Sequence, residues 1–316
     1  MAQFNPVHIE NRKFLASYHH QYMQNSLQVN DGMGYFTEQA NLSGIAATDW
    51  SWGALAFDFQ LDGLKDLFIS NGIQRDITNL DIVDFSSSSE GANKIVEGTI
   101  DQLINLFPSS PMPNYAFVNQ GGLGFTNLAD SLGLATASFS NGSAYGDLDN
   151  DQDLDLVVNN ANMPAFLYQN RSNEQVGNHY LSITLKGLQQ NPLGIGAKVQ
   201  IYASGKMQEQ QHFTTRGFQS SVAPGLVFGL GKRNLVDSIR VIWPDKKVQV
   251  IPNIPADEVL ELDYKDAGSS TSTPTQEIPA LFSEVTDLVP PQAIHVENTF
   301  NDFDHERLLP RGLSTE

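Results

Sequence analysis

The chain has 316 residues, enough for about two domains and a large buried core. Its 36 acidic residues against 18 basic ones leave a formal charge of -18. That charge repels phosphate backbones and anionic membrane surfaces, leaving calcium, basic partners or plain solubility as readings of the acidity. With no cysteine there are no disulfides, zinc–thiolate sites or thiol catalysis, and no apolar run is long enough to span a bilayer.

Residues 1–23 open on Met1-Ala-Gln-Phe-Asn-Pro, with neither a basic n-region nor an apolar h-region. The expectation is a segment preceded by further sequence, with His19-His20 on its surface. An ungapped internal repeat follows. Residues 24–71 overlay 113–160 at a constant offset of 89, the separation of Asp147 from Asp58. Val29, Asn30, Phe36, Thr37 and Gly44 fall on Val118, Asn119, Phe125, Thr126 and Gly133. Ser51, Gly53, Asp58, Asp62 and Asp66 fall on Ser140, Gly142, Asp147, Asp151 and Asp155.

Each copy reads as strand, turn, strand, with hairpin turns at Asn30-Asp-Gly and Asn119-Gln-Gly-Gly. Leu67-Phe68-Ile69 and Leu156-Val157-Val158 read as buried strands leaving two acidic loops. Residues 72–113 interrupt the repeat as a surface insertion. It carries a Ser-rich loop (Ser86–Ser89) and an amphipathic stretch, Ile95–Phe107, with Ile100, Leu103, Ile104 and Phe107 on one helical face.

After Asn178 the pattern changes to six short strands between Gly, Pro and Asn turns: His179–Lys186, Ala197–Ala203, Leu226–Gly229, Ser238–Trp243, Val248–Ile251 and Val259–Tyr264. Residues 178–264 therefore read as a separate β-sandwich or barrel. A polar linker spans 265–280. In the last segment, 281–316, Leu281-Phe-Ser-Glu-Val-Thr286 is similar to Tyr35-Phe36-Thr37-Glu38, as if another copy began.

The chemistry concentrates in the two acidic loops. Asp58, Gln60, Asp62 and Asp66 occupy positions 1, 3, 5 and 9 of the first loop, and Asp147, Asp149, Asp151 and Asp155 those of the second. Calcium takes six to eight oxygens, and a chain coiling around one ion turns every second residue inward. Position 7, Leu64 or Asp153, offers its backbone carbonyl. An all-oxygen set disfavours zinc and copper. An EF-hand needs Glu at position 12, where Ile69 and Val158 stand. Crowding carboxylates at equivalent positions without a cation costs repulsion, which argues against mere solvated turns. The fuller set predicts tighter binding at Asp147–Asp155, both loops falling in the weak range of about 10⁻⁴–10⁻³ M.

The segment Asn141-Gly-Ser-Ala-Tyr-Gly-Asp-Leu-Asp-Asn-Asp-Gln-Asp-Leu-Asp-Leu-Val-Val-Asn-Asn resembles an FG-GAP (VCBS-type) repeat, the calcium-loop blade of integrin-like β-propellers. Residues 178–264 resemble the ASPIC/UnbV domain at Gly194-Ile-Gly-Ala197, Arg216-Gly-Phe-Gln-Ser-Ser221, Phe228-Gly-Leu-Gly231 and Asp237–Asp245. Their order resembles the cartilage-acidic-protein-like group of secreted or surface-attached proteins. The resemblance implies partial propeller blades followed by a sandwich-like domain, bound Ca²⁺, an extracellular or cell-surface place, protein or glycan partners, and no established catalysis. The tail His295–Ser314 is similar to the opening of a further propeller in long members. Two copies cannot close a propeller, so further blades are expected elsewhere.

Other candidates are plainer. Gly194-Ile-Gly-Ala197 lacks the strand–helix context of a phosphate loop. Trp50 and Trp52 flank Ser51 and suggest a surface for stacking a sugar ring. Arg216, beside an aromatic and hydroxyls, suggests a grip on a carboxylate or sugar. Neither an HExxH nor a GxSxG motif occurs. The expectation is a non-enzymatic, calcium-binding adhesion or binding protein. A polysaccharide-active hydrolase or lyase on a propeller scaffold is the alternative, resting on the Trp pair and the carboxylates.

Overall fold

In a computed structural model, residues 7–18, 24–76, 104–105 and 107–268 are described; they belong to one compact unit, Met1–Ser270. His19-His20, most of the Ile95–Phe107 stretch, all but the first residues of the linker, and the segment 281–316 lie outside the described residues. The described chain is all-β apart from a helix α1 (Val7–Leu15) and two short helical turns, Ser172–Gln175 and Tyr264–Asp266.

The sequence repeat is a repeat of strands. A hairpin of β1 (Gln28–Asn30) and β2 (Phe36–Glu38) comes first. Next is a four-stranded antiparallel meander of β3 (Ser51–Phe57), β4 (Asp66–Asn71), β5 (Tyr115–Asn119) and β6 (Phe125–Asn127). A three-stranded sheet follows: β7 (Ser140–Gly146), β8 (Asp155–Asn160) and β9 (Phe166–Tyr168). The repeat runs out of phase with the sheets. Each copy supplies the outer hairpin of one sheet and the inner strand pair of the next, with the acidic loop joining that inner pair.

Burial explains the residue choice. Strand β4 packs apolar clusters on both faces, Phe68 on one and Ile69 on the other, so it reads as an unbroken apolar run. In its twin β8, Val157 is 37% exposed, because among the described residues no sheet covers that face. Both inner pairs carry the same β-bulge: Trp52-Gly53 opposes Ser70, and Asn141-Gly142 opposes Asn159. No sheet is closed among the described residues, and β9 has no strand on its outer side there. Instead the chain makes α2 (Ser172–Gln175) and departs.

Seven further strands form two sheets. In one, β10 (His179–Lys186) lies between β13 (Leu226–Gly231), antiparallel, and β16 (Glu258–Asp263), parallel. The other has the order β12-β11-β14-β15, with β11 (Lys198–Ala203), β12 (Lys206–Gln211), β14 (Leu235–Ile242) and β15 (Val248–Pro255). Trp243, Phe228, Ile183, Ile201 and Ile239 fill the space between them, each worth roughly 1.5–3 kcal/mol of burial.

Strand β12 corrects the six-strand reading. Its sequence, Lys-Met-Gln-Glu-Gln-Gln, has no apolar period because it is an exposed edge strand. The signal for it was the turn: Ser204 and Gly205 both have positive φ, 52° and 75°, as a two-residue hairpin turn requires. Pro252 and Pro255 are tolerated because β15 is also an edge.

The two halves share a core. Val222 and Val227 from the second half are buried with Leu55, Phe57, Phe68 and Leu156 from the first, and Tyr180 packs against them. Segment 214–223 reaches between the inner strands, where Ala223 N donates to the Tyr145 carbonyl at 3.1 Å. The bulge glycines make room for it: a Cβ on Gly53 would lie 3.2 Å from Phe218 N, and one on Gly142 3.3 Å from Phe218 O.

Candidate metal centre

Both acidic loops are built by the same hydrogen bonds. Position 1 accepts from the backbone N–H of positions 5 and 6: Asp58 from Asp62 (3.1 Å) and Gly63 (2.7 Å), Asp147 from Asp151 (3.1 Å) and Gln152 (3.2 Å). Position 5 accepts from position 7: Asp62 from Leu64 N at 2.8 Å, Asp151 from Asp153 N at 3.1 Å. Gly63 takes a left-handed φ of 89°, and Gln152 adopts the same region at 75° without glycine's freedom.

Position 9 is a staple. Asp66 accepts from Phe59 N and Asn119 N, both at 2.8 Å, while Asp155 accepts from Leu148 N (2.9 Å) and Asn170 N (2.8 Å). Each carboxylate thus ties its loop to the end of the third strand. Asn119 and Asn170 are twins that the repeat alignment missed, because the 72–113 insertion shifts the register. Their side chains accept from Gly121 N (2.9 Å) and Ser172 N (3.1 Å).

The loops differ where a cation would sit. In the second, one oxygen from each of Asp147, Asp149 and Asp151 lies within 4.8 Å of the others, the one such group of three acidic or His side chains among the described residues. Asp153 is fully buried and its Oδ1 has no hydrogen-bond partner; Oδ2 accepts from Asn173 N at 3.1 Å. Burial raises its pKa, and the neighbouring Asp151 and Asp155 charges raise it further. Burial raises Asp147 too. A hard dication fits the Asp147–Asp149–Asp151 set, because it would neutralise three crowded carboxylates. Asp155 stands aside as the staple.

In the first loop Asp58 is 3% exposed and Asp66 fully buried. Gln60 Nε2 donates to Asp62 Oδ2 at 2.9 Å, and Leu64 is exposed. Burial pushes Asp58 up to about 6 and Asp66 up to about 7, against backbone N–H donors that hold them down. Burial lowers Lys65, which feels both carboxylates.

This sets a pH dependence. Asp58 and Asp66 have folded values above their unfolded one, so between about pH 4 and 7 the folded chain holds protons that the unfolded chain has lost. In chelator, stability should therefore rise as pH falls from 7.5 to 5, by roughly 4 kcal/mol from these two, with Asp153, also raised to about 6, adding in the same direction. His212, lowered chiefly by burial, opposes this below about pH 6.5. Thermal melts across that range check the sign.

The proposed ligand residues come together only in part. Trp50 and Trp52 rings lie 6.5 Å apart, and Trp52 packs at 4.9 Å on Phe218, which the sequence had grouped with Arg216 instead. Trp52 Nε1 donates to the Gly72 carbonyl at 2.6 Å. Beside Phe218 is a pocket of about 330 Å³ lined by Asn141, Asn159, Gln219 and Ser220. Arg216 is exposed and donates to the Gln211 carbonyl at 3.0 Å. A larger cavity of about 670 Å³, bordered by Phe57, Leu134, Leu156 and Tyr168, opens elsewhere on the first half.

Residues 187–269 match the protein-family model described as ASPIC and UnbV. The match covers six strands of the sandwich and begins just after β10. A search of curated proteins gave no match.

Proposed function

We propose that this chain is a non-enzymatic, calcium-stabilised binding protein that works outside the cell, its stacked sheets being FG-GAP-type propeller blades. The observation that carries the reading is the second acidic loop: three carboxylates gathered within 4.8 Å, beside a buried Asp153 oxygen with no partner. Asp147, Asp149, Asp151 and Asp153 are the residues that would hold Ca²⁺. Bound there, the ion supplies positive charge that removes their mutual repulsion and fixes the β7–β8 loop. A site of weak affinity suits surroundings where calcium is abundant. Calcium at a hundredfold excess over Kd should raise stability by roughly 2.7 kcal/mol relative to chelator. Identical melting curves in calcium and in chelator would remove the proposal.

The surface we assign to ligand binding is the Trp52–Phe218 pair with the neighbouring pocket, whose amide and hydroxyl groups suit a neutral polar partner such as a glycan or a protein loop. The same pair is what favours the polysaccharide-active alternative. The carboxyls raised furthest, Asp58, Asp66 and Asp153, are shut away from solvent and so suit structure better than acid catalysis. A panel of polysaccharides separates the two: retention without cleavage supports the binder, and cleavage supports the enzyme.

A further inference from the structure

We infer that, of the two acidic loops, the second alone holds a calcium ion, and that the first has become the socket fastening the sandwich to the sheets. The inference rests on the calcium reading above. It turns on how differently two repeat-equivalent loops of the same backbone are used.

The first loop is covered by β13. Gly231 N donates to the Leu61 carbonyl at 2.8 Å, and the Gly229 carbonyl accepts from Gln208 Nε2 at 2.7 Å, close over Gly63. A Cβ on Gly63 would lie 3.0 Å from Gly229 O. Asp58 Oδ2 rests against Gly229 itself, where no side chain could fit. From the other side Asn178 Nδ2 donates to the Gln60 carbonyl and Asn170 Nδ2 to the Phe59 carbonyl, both at 2.8 Å. Three of the loop's carbonyls, those of Phe59, Gln60 and Leu61, are thus taken by protein partners from β13 and the connection before β10.

Its side chains have changed to match. Position 3 is Gln60, whose amide donates to Asp62 in place of a third carboxylate. Position 8 is Lys65, partly buried, where the second loop has Leu154. The first loop therefore keeps its shape through the backbone N–H groups that donate to Asp58 and Asp66, with no call for an ion. The second loop has no basic residue, keeps Asp149 exposed, and leaves the buried Asp153 Oδ1 unpaired.

Calorimetric titration of Ca²⁺ into the calcium-stripped full chain tests this. One equivalent is expected to be lost in Asp149→Asn/Asp151→Asn and none in Asp62→Asn. Hydrogen exchange gives a second readout: calcium should slow the amides of 147–155 about tenfold and leave those of 58–66 unchanged. Any equivalent lost in Asp62→Asn, or calcium protection of 58–66, would overturn the inference while the calcium reading stood. No binding to the unaltered chain would overturn the calcium reading itself.

Discussion

Gly229→Ala should be among the most damaging single-methyl additions in the molecule, lowering stability by about 3 kcal/mol or more. The added Cβ would lie 2.6 Å from Leu61 Cα, and closer still to the Leu61 carbonyl carbon and to Asp58 Oδ2. Two of these obstacles are backbone, so the neighbours cannot swing away. Either β13 lifts off the loop, or the loop gives up the bonds that Asp58 accepts from Asp62 and Gly63. Lifting β13 also disturbs the shared core, because Val227, two residues earlier, is buried among Leu55 and Phe68. For a unit of this size the loss corresponds to a fall of roughly 6–12 °C in Tm. Gly225→Ala is the control: no atom lies within 4 Å of its added Cβ, so its effect should stay within about 0.5 kcal/mol. Equal melting of the two variants would show that the first loop does not hold the sandwich.

The sequence carried the local architecture well and the long-range use of it poorly. The offset that pairs Asp58 with Asp147 also pairs β3 with β7, β4 with β8, the two bulges, and the loop hydrogen bonds. These depend on neighbours in the chain, so identical spacing gives identical structure. Strand β12 was invisible because an edge strand needs no apolar alternation. Strand β9 was invisible because the insertion broke the register that would have aligned Asn170 with Asn119. The bulge glycines Gly53 and Gly142 were legible as a repeated pair, but their reason was not. They give way to the backbone at Phe218, which is distant in sequence. The same holds for the candidate metal site. Residue types and spacing nominated both loops and favoured the second for its fuller set, but could not show the burial of the first against β13, a contact across more than 160 residues between Asp58 and Gly229.

At Asp153 the calcium reading makes a prediction of opposite signs. The fully buried carboxylate has one oxygen satisfied by Asn173 N and one with no partner, beside the charges of Asp151 and Asp155. In chelator its ionised form is a burden, since burial favours the neutral acid. Asp153→Asn removes that charge and keeps an oxygen for Asn173 N, so the chelated variant should be more stable, by about 1–2 kcal/mol. In calcium the order reverses. The unaltered chain gains the stabilisation of a bound ion, while the variant, short of one anionic donor, gains far less. Asp155→Asn should behave otherwise. Both of its oxygens accept backbone N–H groups, from Leu148 and Asn170, and an amide can accept through only one, leaving a buried donor unpaired at a cost of about 1–3 kcal/mol. That loss should appear equally in chelator and in calcium, with the calcium-dependent rise retained. Melting the three proteins under both conditions resolves the roles. An Asp153→Asn variant that is weaker in chelator and still fully stabilised by calcium would place that side chain in the scaffold and leave the ion to Asp147, Asp149 and Asp151.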